Sequence, residues 1–264
     1  MKKTYYTLIG TFFCSLFFAQ QNSIQLEGAK IDFKSSHTNL PLQVTFDDSK
    51  HLPEISFNEW MKKDMVKSND AAFVKTKTEV DPLGFTHNRF QQFYKGYKID
   101  GAIIISHNKN KEVKSFNGDW YNNVSMSNTI SLTEKQALQY ALNKVNAKKY
   151  KWENKDEEIH MQKTLNNPNF NYSPIGELCI LPLIDAKTKI VSFQYAYKFN
   201  IYAEEPLYRA NLFIDATSGK TLKEHNLICT IDAVGSANTK YSGTKPITTD
   251  SYTAGYRLSY TEIG

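Results

Sequence analysis

The 264-residue chain is predicted to be an α+β protein: two small antiparallel sheets, each with a packed helix, and a β-rich stub at the C-terminal end. Three observations point there. Tyr and Phe number 16 each, and aromatic side chains favour half-buried strands. Short alternating segments separated by Gly, Asn, Asp and Pro recur from Leu83 to Asn117 and again from Glu177 to Asn226, as in antiparallel meanders. Helical apolar spacing follows cap-like Ser residues at Ser56 and Ser131. With 41% hydrophobic and 22% charged residues the composition is that of an ordinary globular protein, long enough for one or two domains.

Residues 1–20 stand apart. Lys2 and Lys3 precede an uncharged apolar run from Tyr5 to Phe18, and polar Gln21, Asn22 and Ser23 follow. That order predicts a secretory signal peptide cut at Ala19 or Gln20, too short for the ~20 apolar residues of a membrane span. Residues 21 to about 50 are polar and read as an extended lead-in. Ser56-Phe57-Asn58-Glu59 has the form of a capping box, with Trp60, Met61 and Met65 along a short helix ending near Val66. Asp81-Pro82-Leu83-Gly84 is turn chemistry. Strands are then expected over Phe85–Tyr94, Tyr97–Ile99, Ala102–Ser106 and Val113–Phe116, with turns at Lys95-Gly96 and Asn108–Lys111.

Ser131-Leu132-Thr133-Glu134 reads as a second capping box. Ala137, Leu138, Ala141, Leu142 and Val145 follow at helical spacing. The polar stretch to about Ile175 is read as loop, with Glu158 and His160 as a solvated surface pair. Strands return over Glu177–Ile184, Val191–Ala203, Tyr208–Asp215 and Thr221–Asn226. In the second of these, Phe193, Tyr195, Tyr197 and Phe199 share one face. Residues 234–264 hold too few apolar side chains to bury a core alone.

Several chemistries find no footing. Formal charge is +5, or +3 once Lys2 and Lys3 are removed, too small to imply nucleic acid. The six His residues (37, 51, 87, 107, 160 and 225) include no two four apart, so the His-Glu-x-x-His zinc motif is absent. No Gly-x-Ser-x-Gly elbow and no Gly-rich phosphate loop occurs. Cys179 sits in an apolar run, where a structural thiol is the better reading. Export permits a Cys179–Cys229 disulfide, and two separate thiols remain the alternative. His87 and His107, beside Arg89 and Ser106, are either a contact site on one sheet face or hydrogen-bonded strand residues that fix local structure.

The segment Leu83-Gly84-Phe85-Thr86-His87-Asn88-Arg89-Phe90-Gln91-Gln92-Phe93-Tyr94-Lys95-Gly96, continuing to Gly101-Ala102, His107 and Asn117-Gly118, resembles the fungalysin/thermolysin propeptide (FTP) motif. Residues 131–228 resemble the PepSY domain that follows it in such proteins, through the helix after Thr133, the Tyr195–Tyr202 strand and the turn from Phe213 through Asp215 to Gly219. Val234 to Gly243, with Tyr256-Arg257-Leu258, is similar to the first strands of mature thermolysin-like peptidases.

The resemblance implies a signal peptide (1–20), an FTP-like domain (21–122), a PepSY-like domain (131–228), and a processing junction with the start of a catalytic domain (229–264). Its motif residues are His87, Arg89, Gln91, Gln92, Gly96, Gly101, His107, Gly118, Asp215 and Gly219. Processing is expected among Leu227, Ile228, Ile231 and Val234, where bulky apolar residues lie in a region open to nicking. The implied function is that of a secreted or periplasmic prosegment that inhibits, and assists folding of, a zinc metallopeptidase catalytic domain, its partner in cis or in trans. No catalytic residue or metal ligand is assigned here, and no peptidase activity is expected of these residues alone. Zinc and calcium belong to a catalytic domain that they do not contain. A stand-alone inhibitor or chaperone in trans, or an envelope structural module, are the alternatives.

Overall fold

The computed structural model describes residues 26–228, 232–239, 243–252 and 255–258. The proposed signal peptide with Ala19 and Gln20, and also Cys229 and Ile231, lie outside these residues.

The protein is α+β; among the described residues there are three α-helices, and eleven strands join one sheet in place of the two expected. Its first half holds β1 (Ala29–Lys34), β2 (Pro41–Phe46), β3 (Ala71–Val80), β4 (Thr86–Tyr94), β5 (Tyr97–Lys109) and β6 (Glu112–Gly118). The second holds β7 (Lys149–Tyr150), β8 (Glu177–Ile184), β9 (Val191–Glu205), β10 (Tyr208–Asp215) and β11 (Thr221–Asn226). The path runs β1-β2-β6-β5-β8-β9-β10-β11, with β4 and β3 branching from β5, and β7 lying on β9. The named strands pair antiparallel except at the joint, where Ile99 of β5 meets Ile180 of β8 in a parallel bridge, and the linker adds an isolated parallel bridge from Met126 to Phe193. Strands β12 (Asp232–Thr239), β13 (Gly243–Tyr252) and β14 (Gly255–Leu258) form a separate antiparallel sheet, the β-rich stub expected from the sequence.

Helical turns from Glu54 to Val66, including α1 (Phe57–Trp60), bury Phe57, Met61 and Met65 against Phe46, Phe90 and Phe116. The Phe57 ring lies 5.2 Å from Phe90 and 5.7 Å from Phe116. Ser56 does not cap this helix as expected, because the helical path begins two residues earlier behind Pro53 and leaves Ser56 inside it. In the second half, α2 (Glu134–Val145) buries Ala137 and Ala141 against Tyr197, Phe199, Ile201, Leu212 and Ile214. Alanines let the helix lie close on a sheet face made of large side chains. Its capping box joins Thr133 to Gln136, two residues beyond the one expected at Ser131. The Ser131 N–H donates to Ala216 O at 2.9 Å, so that residue is held by the sheet and the helix starts after it.

Further differences have local causes. The expected lead-in forms the β1–β2 hairpin, with Val44 and Phe46 buried in the first core. Strand β3 begins well before Leu83 and reads as polar because all but its first and third residues are exposed at a sheet edge. Polar residues also concealed α3 (Lys155–Thr164), capped by the Asn154 side chain and led by Asp156, Glu157 and Glu158, whose charge suits a helix N-terminus. Glu158 is not part of a solvated pair: it is buried, with Oε1 3.2 Å from Lys155, while His160 is exposed.

Candidate functional site

Gln91, Gln92 and Gly101 meet where β5 leaves its neighbours to reach β8. Along β4 and β5 the register runs regularly from His87↔His107 to Gln91↔Ile103, then jumps to Phe93↔Lys98. Two steps along β4 therefore match five along β5, and residues 99–102 bulge out of the ladder. Gly101 sits in this bulge at φ +76, a left-handed backbone that glycine adopts without strain. The bulge strips carbonyls of their ladder partners. The buried Gln91 side chain replaces them, its Nε2 donating to Ile99 O at 2.7 Å, to Ala102 O at 3.0 Å and to Gln92 O at 3.0 Å. Gln91 is thus the device that makes the bend compatible with burial, since an unpaired buried carbonyl costs about 1–3 kcal/mol.

Gln92, fully buried, fastens the chain that leaves the first half. Its Nε2 donates to Tyr121 O at 2.6 Å, and its Oε1 accepts from Tyr121 N–H at 2.9 Å. Asn128 repeats the device on the second half: its Oδ1 accepts from Tyr195 N–H at 2.7 Å and its Nδ2 donates to Tyr195 O at 3.0 Å. Between them, Tyr121 meets Phe193 edge-on with ring centroids 5.3 Å apart. Ile99, Ala102, Val124, Ile180 and Phe193 form an apolar cluster drawn from both halves and the linker. Burial there pushes the Tyr121 hydroxyl up to about 12. Burial, then the nearby Asp100 carboxylate, likewise pushes the Cys179 thiol up to about 12, so that buried thiol is no nucleophile at neutral pH. Ion pairs flank the joint, Lys98–Glu177 at 2.8 Å and Lys198–Asp100 at 2.7 Å.

Asp215 and Gly219 lie in the turn between β10 and β11. Asp215 Oδ1 accepts from Thr217 N–H at 2.8 Å and Ser218 N–H at 2.7 Å, and its Oδ2 accepts from Asn128 Nδ2 at 2.9 Å. Burial alone would raise this carboxyl; the Ser218 and Thr217 hydrogen bonds outweigh it and hold Asp215 below the usual carboxylate range. The Tyr140 ring of α2 lies over Gly219, where a Cβ would approach it to 2.4 Å. Asn128 therefore fastens the linker both to β9 and to the Asp215 turn, and no feature of the sequence singled it out. Gly96 lies with Lys95 in the tight turn between β4 and β5. Gly118 takes φ +129, and a Cβ there would meet Ile103 O at 2.1 Å.

His87 and His107 stand directly opposite one another on β4 and β5. Their Nδ1 atoms are 2.7 Å apart. His87 Nε2 lies 3.2 Å from Asp81 Oδ2, and His107 Nε2 lies 2.7 Å from Asn117 Oδ1. Arg89, two residues on, has no ion-pair partner among the described residues. Leu227 still belongs to the sheet end, its N–H donating to Arg209 O at 2.8 Å. The Ile228 N–H donates to Asn226 Oδ1, and Val234 lies in β12 opposite Thr248. The structure thus brings Gln91, Gln92 and Gly101 together at the joint and pairs His87 with His107 farther along β4 and β5; Asp215 is held separately, by Asn128 of the linker. Among the described residues no group of three or more His, Cys, Asp or Glu side chains is placed to hold a metal ion. No helix among them is long and apolar enough to cross a membrane.

Residues 71–119 match the family model of the Fungalysin/Thermolysin Propeptide Motif. The matched segment opens at β3, encloses the whole bulge and the His pair, and ends just before the linker. A curated relative, Bacillolysin from Bacillus amyloliquefaciens, is 27% identical over 217 residues, covering 78% of this chain. The chain spans 38% of that relative's length. Among solved structures, the Bacillus megaterium YpeB C-terminal domain aligns over 71% of this chain and 72% of its own, with 13% identity and a TM-score of 0.31, a level that does not define a shared fold. The chain thus carries a fungalysin/thermolysin propeptide motif, and the resemblance to a thermolysin-like peptidase prosegment holds over that segment.

Proposed function

We propose that this chain is the prosegment of a secreted thermolysin-like zinc metallopeptidase, which binds its cognate catalytic domain, inhibits it and assists its folding. The observation that carries the reading is the propeptide-motif match over residues 71–119, whose side chains set the joint of the sheet. Similarity to Bacillolysin over most of this chain, but only 38% of that relative, is compatible with a chain that corresponds to one part of a longer precursor. On this reading residues 21–122 are the FTP-like domain, 131–228 the PepSY-like domain, and 229–264 the processing junction with the start of the catalytic domain. The signal peptide is residues 1–20, and the catalytic domain supplies the zinc and calcium sites.

The physics of the role is binding. A segment that binds the native catalytic domain stabilises it by mass action. One tethered to it acts at an effective concentration of up to ~mM for a short linker. Cutting among Leu227, Ile228, Ile231 and Val234 ends that advantage. A rigid joint serves the role because a binder whose halves are already fixed loses less entropy on docking.

Co-refolding tests the reading. A denatured thermolysin-like catalytic domain is diluted from denaturant with and without the chain, and recovered peptidase activity is measured after the chain has been digested. A several-fold higher yield with the chain supports the proposal; an unchanged yield, with no complex formed, contradicts it.

A further inference from the structure

We propose that His87 and His107 form a single proton-binding site, one positive charge shared between two rings, which latches β4, β5 and β6 together. The inference is a proton count. Three contacts link four groups in a row: Asp81 Oδ2 to His87 Nε2 at 3.2 Å, His87 Nδ1 to His107 Nδ1 at 2.7 Å, and His107 Nε2 to Asn117 Oδ1 at 2.7 Å. Both ends of the row are acceptors. Each Nε2 must then donate, and the Nδ1–Nδ1 contact needs one hydrogen more. Three protons on two imidazoles make one neutral ring and one imidazolium.

With any other proton count the row does not close as the side chains stand. With two protons, both Nε2 donors leave two bare Nδ1 atoms facing each other at 2.7 Å, unless the Asn117 carboxamide turns to offer Nδ2 to His107. With four protons, two N–H groups point at each other and two charges sit in ring contact, with centroids 4.9 Å apart. The row therefore closes in full at one added charge, and Asn117 is the part that turns when that charge leaves.

The surroundings favour one charge and oppose a second. Asp81, in the turn after β3, is held below the usual carboxylate range, first by its hydrogen bond from Phe85 N–H, and so supplies a negative charge. On β3, Glu79 stands opposite His87 and is paired to Lys77 at 2.6 Å. From β4, Arg89 is on the same face, and on β5 Lys109 Nζ lies 4.8 Å over the Phe85 ring that stacks on His87. From β6, Ser115 stands opposite His107, and Glu112 is engaged by His51 and Lys114. On β2, Gln43 and Thr45 are neutral, and on β1 Asp32 is paired to Lys30 at 2.8 Å. One unneutralised carboxylate thus touches the row, while Arg89 and Lys109 repel any further charge.

The consequence is a sheet that is tightest in the singly charged state and loosened at its β4–β5 end by a second proton. The direct test is a ring-nitrogen and ring-carbon NMR titration of the full chain from about pH 4 to 9. The expected result is that His87 and His107 change together in two steps, the second proton binding more than about tenfold more weakly than the first, with three of four ring nitrogens protonated between the steps. Independent titrations that overlay those of exposed His37 and His160 would overturn the proposal. Asn117→Asp, a partner that can only accept, is expected to tighten the first proton about tenfold. Asn117→Leu is expected to weaken it. A first step unmoved by both changes would also overturn the proposal.

Discussion

The Gln92 carboxamide and the Tyr121 backbone hold each other through two hydrogen bonds, at 2.6 Å and 2.9 Å, as two residues of neighbouring strands would. The linker between the two halves thereby starts as a strand partner of a side chain. Gln92→Leu keeps the volume and removes both bonds, leaving a buried N–H and a buried carbonyl unpaired. The expected loss is about 2–4 kcal/mol of unfolding free energy, measured by denaturant titration. An effect below about 0.5 kcal/mol would mean that water replaces the carboxamide.

The parallel bridge between Ile99 and Ile180, with its shared apolar cluster, couples the two halves. Ile180→Ala removes atoms from the middle of that cluster, where Ile180 is fully buried. A cost of about 2–5 kcal/mol is expected. Beyond the loss of stability, the unfolding transition should split, because each half keeps its own core. Calorimetry reads this directly: the wild type gives one transition for residues 26–228 and the variant gives two.

Gly118→Ala places a Cβ 2.1 Å from Ile103 O, at a backbone φ of +129. Backbone cannot move aside as a flexible side chain can, so β5 and β6 must separate. The expected cost is about 2–3 kcal/mol, with raised amide exchange in Ile103 and Ile104. Ser115→Ala, on the same strand, should cost well under 1 kcal/mol.

Asp215 predicts a pH dependence. Its carboxyl is held below the ordinary range in the folded protein, so the folded state binds its proton more weakly than the unfolded state does. That stability is present above the unfolded value of about 3.9 and is lost as pH falls through the lower folded value. Asp215→Asn removes it, at about 1 kcal/mol near neutral pH. The gap between wild type and variant should close below about pH 4 and not above it.

The α+β class and most strands of both meanders were legible in the sequence, because each rests on local signals, whereas the union of the strands in one sheet was not. Tyr195 and Tyr197 alternate with polar residues, Lys95-Gly96 is a turn dipeptide, and the Gln91-Gln92 pair stands out beside Gly101. The joint was not legible. A side chain that mimics a strand, as at Gln92 and Asn128, leaves no periodicity, and a bridge between Ile99 and Ile180 spans a separation no local pattern reports. Strand β3 and helix α3 were missed for a related reason: both are mostly exposed, so burial writes little hydrophobic pattern into them. The His87–His107 pairing followed from strand register, which two His residues twenty apart do not disclose.

The most direct test of the prosegment reading is inhibition. The chain is titrated into a mature thermolysin-like peptidase, preferably from the same source, and residual peptide hydrolysis is followed over time. Sub-micromolar inhibition that reverses slowly is the predicted result. Full peptidase activity at every concentration, with no complex formed, would contradict it.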